Sequence, residues 1–391
     1  MIIKNGNIIT KEEVLNNTDI RIENGIIAEI GKDLNGDETY DATGMYVSPG
    51  FVDIHTHGGF GSDFMDDEDN AINTVLDFHT KNGTTSLLAS TVTAPVSQIE
   101  SMIERVRNHM KSDDAKDKTK ILGVHIEGPY ISYKNKGAQK EEFLKVPSKD
   151  DYSFIIKNSD VIKNVTISTE LDGAEKMTKD LVDAGIKVSL GHDDGKSETA
   201  YPVIDAGATN LTHWYCAMST ARVEDGKRSA GLMEIGLVDS RLTLELLADT
   251  HHLPPELVRL AYKCKGADKL CLVSDCLRAG GMPRDGRVYT LGTLGDEDAT
   301  KFIVSNGVAR LTDGTRFAGS IQPVRQMVKN VMDACEIPLA EAVKMASLTP
   351  AGVIGMDEKI GSLEVGKIAD INILTSNLEP VRTMIDGKFI N

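Results

Sequence analysis

The chain has 391 residues, of which 40% are hydrophobic, and this is enough to bury one large core and a smaller module. Its formal net charge of -16 disfavours nucleic acids and anionic membranes as partners, so an anionic substrate would need a local cluster of basic groups. Since the sequence lacks both a long apolar run and a signal peptide, and its five cysteines form no CxxC pair, we expect a cytoplasmic protein with reduced thiols.

The first 50 residues predict several short β-strands. In segment 20–27, apolar residues flank the pair Asn24 and Gly25. An Asn-Gly pair between two such runs favours the type I′ turn of a β-hairpin. The chain is therefore predicted to begin with a small β unit.

The middle of the chain alternates strand patterns with helix patterns. Eight apolar runs predict strands at 51–57, 84–91, 121–127, 164–170, 187–192, 209–213, 242–249 and 269–275. Helical patterns fill most of the gaps, for example at 71–81, 96–110, 174–184 and 255–264. Because parallel strands need such crossover helices, residues 51–349 predict a TIM-like (β/α)8 barrel in the α/β class.

Six potential metal ligands stand at the ends of these strands. His55 and His57 are two residues apart, so a strand places both on the same face. Such a pair also occurs by chance. Further strand ends carry Glu127, His192, His213 and Asp275. Because a barrel brings its strand ends together, we predict a hydrolytic metal site at the C-terminal rim.

Three other histidines are not predicted as ligands. His79 and His109 lie in helical patterns with polar neighbours, so we expect both at the surface. His125 shares strand parity with Glu127. It is either a group behind the ligands or a core histidine with satisfied nitrogens.

The last part of the chain returns to β patterns. Residues 276–319 carry many glycine and turn signals and predict a β-rich insertion over the active-site face. A helix is expected from Ser320 to Cys335. Strand patterns follow after about residue 350, so we predict that residues 1–50 and 350–391 together form a small β-sandwich domain.

Several motifs together resemble the N-acetylglucosamine-6-phosphate deacetylase family of the amidohydrolase superfamily. They are PGFVDIHTHG (49–58), HIEGPY (125–130) with KGAQ (136–139), SLGH (189–192), TH (212–213) followed by AM (217–218), VSD (273–275), AGS (318–320) and SLTPA (347–351). The resemblance runs nearly from end to end. It places Glu127 where many superfamily members have a carboxylated lysine.

The resemblance implies hydrolysis of the acetamide of N-acetylglucosamine 6-phosphate, giving glucosamine 6-phosphate and acetate. Asp275 would be the general acid and base. Because the HxH pair is present, a second ion bridged by Glu127 is expected, giving one or two divalent ions per subunit, zinc or iron. The implied ligands of the catalytic ion are Glu127, His192 and His213.

The resemblance also implies how the substrate is held. Arg228 and His252 are the best matches to the residues that grip the phosphate, although either His251 or His252 could face the site. The family's arginine comes from a neighbouring subunit, which implies a homodimer. The remaining implied substrate contacts are Gln139, Cys216 and Ala217.

The chain departs from the family pattern near the substrate and not at the ligands. Cys216 stands where the family usually has Asn, and Thr250 where it usually has Gly. Two alternatives therefore stay open: hydrolysis of another N-acylated amino sugar such as N-acetylgalactosamine 6-phosphate, or of a cyclic amide. A non-enzymatic barrel would be expected to have lost ligands, and all six are present.

Overall fold

The computed structural model describes residues 1–296 and 298–390. Its first five strands are β1 (Ile2–Ile9), β2 (Val14–Glu23), β3 (Ile26–Gly31), β4 (Thr39–Asp41) and β5 (Tyr46–Pro49). Asn24 and Gly25 have positive φ angles of 52° and 79° and connect β2 to β3, as the Asn-Gly pair predicts. β1 pairs antiparallel with β2 and parallel with β4 and β5.

Strands then alternate with helices. The elements are β6 (Phe51–Thr56), β7 (Gly58–Gly59), β8 (Ser62–Asp63), α1 (Ala71–Lys81), β9 (Thr84–Ser90), α2 (Val96–Met110), β10 (Lys120–Glu127), α3 (Ser153–Lys157), β11 (Ile162–Ile167), α4 (Ala174–Asp183), β12 (Lys187–Leu190), α5 (Ser197–Asp205), β13 (Asn210–Leu211), β14 (Arg222–Glu224), β15 (Lys227–Ser229), α6 (Leu232–Val238), β16 (Thr243–Leu246), α7 (Pro255–Lys265) and β17 (Leu270–Leu272). Eight of the strands form one parallel sheet in chain order, β6-β9-β10-β11-β12-β13-β16-β17. A helix lies between each neighbouring pair.

Contacts between β6 and the segment after β17 close this sheet into a barrel. The backbone N–H of Asp275 donates to the carbonyl of His55 at 2.9 Å. The Ser274 hydroxyl donates to the buried Asp53 carboxyl group, whose pKa burial raises to about 7. The first and last strands are therefore joined, which confirms the predicted (β/α)8 barrel.

The chain between β17 and the last helices forms a separate antiparallel sheet. Its strands are β18 (Val288–Thr290), β19 (Lys301–Ser305), β20 (Val308–Leu311) and β21 (Phe317–Gly319), and the helices that follow are α8 (Val324–Cys335), α9 (Leu339–Met345) and α10 (Leu348–Val353). α8 begins four residues later than Ser320, the predicted start. Pro323 explains the difference, because a proline keeps the residue before it out of the helical region.

The last three strands return to the sheet of the first five. They are β22 (Ile371–Leu374), β23 (Pro380–Ile385) and β24 (Lys388–Ile390), and β22 pairs antiparallel with β5. Buried side chains from both ends of the chain share one core, among them Ile3, Ile20, Ile371 and Met384. This confirms the small β unit built from both chain ends. The division into domains at residues 50 and 350, with an insertion at 276–319, stays a prediction, and α10 covers residue 350. None of the helices in the described part of the chain has the length and hydropathy that a membrane crossing requires.

Arg278 ties the β18–β21 sheet to the barrel. Its residue is 1% exposed, and its guanidinium donates to Asp66 at 2.8 Å and to the carbonyl of Thr290 at 2.8 Å. Asp63, also buried, lies 4.0 Å from the same guanidinium. The guanidinium thus offsets the charge of the Asp66 carboxylate, while burial raises the pKa of Asp63.

Replacing Arg278 by Met is expected to lower the free energy of unfolding by about 3–5 kcal/mol, because it leaves the buried Asp66 carboxylate without its partner. The measurement is chemical denaturation of both proteins. The matched control is Arg287→Met in the same segment, where the pair with Asp285 is exposed to solvent and its loss should change the free energy of unfolding far less. Equal losses in the two variants would contradict the assigned role of Arg278.

Candidate metal centre and active site

The six predicted ligands meet at one end of the barrel. Each lies at or just beyond the carboxyl end of a barrel strand, and each is at most 7% exposed: His55, His57, Glu127, His192, His213 and Asp275. These side chains include two groups of three whose ligand atoms lie within 4.8 Å of one another. One contains the HxH pair, His55 and His57, and the other contains the two later histidines, His192 and His213. Glu127 belongs to both groups.

Glu127 and the two later histidines are spaced like ligands of one ion. Glu127 Oε1 is 3.1 Å from Nε2 of His192 and 3.1 Å from Nε2 of His213. The two imidazole nitrogens are themselves 3.1 Å apart. Zinc bonds of roughly 2.0–2.1 Å in a tetrahedron put neighbouring ligand atoms about 3.3 Å apart, so these three atoms fit a single divalent ion.

The HxH pair approaches the same carboxylate from the other side. His55 Nε2 is 3.5 Å from Glu127 Oε1, and His57 Nε2 is 3.4 Å from Oε2. Asp275 Oδ1 is 3.2 Å from His57 Nε2. Among the described residues His55 Nε2 has no hydrogen-bond partner, which is rare for a buried polar atom. A second ion between these groups would satisfy it.

The cluster keeps its carboxylate ionised in a buried place. Burial alone would raise the pKa of Glu127, but the charge of His55 and the hydrogen bonds from His192 and His213 lower it well below its usual value. Burial likewise opposes protonation of His55, yet carboxylates led by Glu127 raise its pKa well above the usual value. The site is therefore built to hold positive charge.

Three of the predicted ligands stand where the backbone has left the strand. His192, His213 and Asp275 have positive φ angles of 47°, 30° and 42°. Residues other than glycine rarely adopt this region, and it costs on the order of 1–3 kcal/mol each. The predicted strands 187–192, 209–213 and 269–275 therefore end two or three residues early. The turn aims each side chain at the axis of the barrel.

Further residues hold the ligands in place. Glu245, fully buried on β16, accepts a hydrogen bond from the backbone N–H of His213 at 3.1 Å and lies 3.1 Å from Nδ1 of His55. His192 Nδ1 lies 2.8 Å from the carbonyl of Asn135. Such contacts fix which nitrogen faces a metal. The sequence did not mark Glu245 as a site residue, although an acid inside the apolar run 242–249 was the available signal.

A cavity of 490 Å³ opens above the cluster. The predicted contacts Gln139, Cys216, Ala217 and His252 all line it. The amide of Gln139 is already engaged, because Nε2 donates to Glu127 Oε2 at 2.8 Å and Oε1 accepts from the backbone N–H of Thr93 at 2.7 Å. Gln139 therefore positions the shared carboxylate. Burial raises the pKa of the Cys216 thiol, so it stays protonated.

His252, and not His251, faces the cavity. Nδ1 of His252 lies 2.8 Å from the buried carboxylate of Asp249, which leaves Nε2 as the free nitrogen. His251 points to the turn at Gly307 instead. Thr250 between them has a φ of 69°, a conformation that glycine adopts without strain. The departure from the family's Gly at this position therefore carries a local cost.

Arg228 does not line the cavity. It lies exposed on the short hairpin of β14 and β15, with Lys227 beside it. Arg222 on the same hairpin pairs with Asp194 at 3.0 Å. Within one subunit Arg228 is therefore not among the predicted substrate contacts that line the cavity.

The remaining histidines differ in their surroundings. His79, expected at the surface, is fully buried, and its Nε2 lies 3.1 Å from the hydroxyl of Thr56 on β6. The prediction was wrong because His79 falls on the face of α1 that packs on the barrel. His125 is also buried, with its nitrogens 3.1 Å and 2.8 Å from the hydroxyls of Ser90 and Thr166. Its ring packs on His55, so it is a core histidine behind a ligand.

Comparisons with known proteins agree with this geometry. The sequence pattern described as "Amidohydrolase family" matches residues 46–390. The chain belongs to the amidohydrolase family. It is 33% identical over 386 residues to an N-acetylglucosamine-6-phosphate deacetylase of Haemophilus influenzae, covering 98% of this chain and 97% of that one. It is also 33% identical over 382 residues to an N-acetylgalactosamine-6-phosphate deacetylase of Escherichia coli O157:H7, covering 97% of each chain.

The fold gives the same result. The crystal structure of N-acetylglucosamine-6-phosphate deacetylase from Pasteurella multocida superposes with a TM-score of 0.89 at 30% identity, covering 99% of this chain and 98% of that one. The resemblance to this group of deacetylases is thus confirmed, and the chain is an amidohydrolase of that type. The family is metal-dependent, and the Glu127 cluster supplies residues that can bind metal.

Proposed function

We propose that this chain hydrolyses the acetamide of N-acetylglucosamine 6-phosphate to glucosamine 6-phosphate and acetate. The observation that carries the proposal is the Asp275 carboxylate, which lies 3.2 Å from His57 and lines the same cavity as Glu127 and its histidines. Amide hydrolysis requires a group that polarises the carbonyl and a group that holds a proton, and the cavity floor offers both. The relative from Haemophilus influenzae, which is named for this reaction, supports the choice of sugar.

The ligand cluster would hold one or two divalent ions. Glu127, His192 and His213 would hold the catalytic ion, and His55 and His57, together with Glu127, would hold a second. Mixed imidazole and carboxylate donors suit zinc or ferrous iron. When bound, such an ion polarises the acetyl carbonyl and lowers the pKa of water from 15.7 to roughly 7.

Asp275 is assigned to the proton. Its carboxylate would accept the proton of the attacking water and donate it to the departing sugar amine, a transfer worth about 10²- to 10⁴-fold in rate. The 3.2 Å contact with His57 fixes the direction of the carboxylate. Burial would raise the pKa of Asp275, but the hydrogen bond from His57 and the charges of His55 and His57 lower it, so the group is an ionised carboxylate.

The substrate would be held by the cavity wall. His252 presents its free Nε2, while the backbone around Ala217 and the thiol of Cys216 face the sugar. A thiol is a weaker hydrogen-bond donor than the amide of the Asn that the family usually has there. Arg228 on its exposed hairpin would complete the phosphate site only from a neighbouring subunit, so its role and the homodimer form one proposal.

The second candidate is deacetylation of N-acetylgalactosamine 6-phosphate. One relative with this name is as similar as the first, at 33% identity. Cys216 also changes the substrate side of the cavity and leaves the ligands intact. Both candidates use the same metal site and the same Asp275.

The test is an amine-release assay on purified, metal-analysed protein with N-acetylglucosamine and N-acetylgalactosamine, each with and without 6-phosphate. We expect turnover to require zinc or iron, to be lost with a chelator, and to be fastest on N-acetylglucosamine 6-phosphate. A preference for the galactosamine ester would select the second candidate. Full activity in metal-free protein would contradict both.

A further inference from the structure

The cavity wall holds one arginine, Arg316, that matches none of the sequence motifs. Apart from the ligand cluster, the described residues lining the cavity include two side chains that can carry positive charge, His252 and Arg316. Arg316 comes from the turn between β20 and β21. It therefore reaches the cavity from the β18–β21 sheet and not from the barrel.

Arg316 is exposed and available. Its one hydrogen bond in the described structure is from Nη1 to the carbonyl of Gly137, at 3.3 Å, and no carboxylate among the described residues lies within ion-pair distance. The nearest acid in its turn, Asp313, is engaged by the backbone N–H and hydroxyl of Thr315. In a chain with a net charge of -16, an arginine at a cavity without a paired acid has charge left for a ligand.

The contact with Gly137 places this charge beside the ligand cluster. Gly137 has a φ of 60°, and a Cβ built on it would lie 3.1 Å from the ring of His192. A single backbone residue thus separates the hydrogen-bonded carbonyl from a predicted metal ligand.

His252 lies on the same wall. The ring centroid of His252 is 4.7 Å from that of Phe317. The guanidinium of Arg310 lies 4.4 Å from the centroid of the same Phe317 ring. Asp249 holds Nδ1 of His252, so the free Nε2 is directed away from the acid. Arg316 directly precedes Phe317 in the chain and lines the same cavity as His252, so an anion bound on this wall would have both cations near it.

We propose that Arg316 binds the anionic group of the substrate within its own subunit, as a specificity-determining residue. The inference rests on the proposed function, because it takes the anion to be the phosphate of an acetylated amino sugar. A guanidinium offers two parallel donors to a phosphate, which a single imidazole does not. The site would then not depend on the exposed Arg228 of a neighbouring subunit for all of its positive charge.

The first test is steady-state kinetics of Arg316→Ala on the phosphorylated and unphosphorylated sugars. We expect kcat/KM to fall about 10- to 100-fold on the phosphorylated sugar, mainly through KM, with little change on the other. Arg316→Lys should recover part of the loss, because it restores charge without the fork. The matched control is Arg284→Ala, an exposed arginine of the same segment outside the cavity lining, which should behave as wild type.

The second test needs no turnover, so it separates this inference from the proposed function. Binding of inorganic phosphate to metal-loaded protein, measured by calorimetry, should weaken about 10- to 100-fold in Arg316→Ala and stay unchanged in Arg284→Ala. Unchanged phosphate binding in Arg316→Ala, or an equal kinetic loss on both sugars, would overturn the inference. Losses in both Arg316→Ala and Arg228→Ala would support it, whereas a loss in Arg228→Ala alone would overturn it. Failure of the proposed function would appear differently, as a wild-type protein that releases no amine from either phosphorylated sugar.

Discussion

Replacing Asp275 by Asn is expected to reduce kcat by about 10²- to 10⁴-fold while most of the metal stays bound. The substitution keeps the shape of the side chain but removes its capacity to accept a proton. Glu127 and the two later histidines do not depend on it. The measurements are amine release under saturating substrate and metal content by mass spectrometry.

The control is Cys276→Ala at the next position, where the buried side chain does not line the cavity. That variant should turn over substrate at nearly the wild-type rate. If Asp275→Asn were similarly active, the proton-transfer role would have to be given to another group. If the variant were inactive and also free of metal, the main role of Asp275 would be to bind the metal.

His192→Ala and His213→Ala are each expected to lose the catalytic metal and all measurable activity. Both imidazoles lie 3.1 Å from the same oxygen of Glu127, and removing one leaves two ligands, too few for a structural or catalytic ion. His55→Ala and His57→Ala should lose at most the second ion and keep part of the activity. Metal content and amine release are measured on all four variants.

His125→Asn is the matched control, since His125 packs on His55 but has both nitrogens next to hydroxyls. It should keep the metal content of the wild type. The assignment of His55 and His57 to a second, less essential ion would be wrong if the His55 variant were as metal-free and inactive as the His192 variant. In that case the ions would bind as one unit through the shared Glu127.

The sequence predicted that the six side chains would meet, because strand periodicity and the order of strands in a barrel can be read from the sequence. His55 and His57 had to share a face, and the ends of parallel strands had to meet. The exact ends of the strands were not predictable in the same way. His192 and His213 continue an apolar run in the sequence, yet they take positive φ angles that only the surrounding structure enforces.

Long-range packing decided the features that the sequence did not reveal. His79 looked exposed from its neighbours, and only the packing of α1 on β6 buries it. The choice between His251 and His252 depended on which ring Asp249 holds. Arg316 was one of many charges in a segment rich in turns, and its approach to Gly137 joins residues far apart in the chain.

The pairing of β5 with β22 has a consequence for biosynthesis. The residues 50–370 must be made after β5 leaves the ribosome and before β22 can join it. At roughly 5–20 residues per second, β5 waits tens of seconds with one unpaired edge. An unpaired edge attracts other strands. We therefore expect the nascent chain to need a chaperone during this interval, and C-terminal truncations that remove β22 to aggregate even though every ligand has been synthesised.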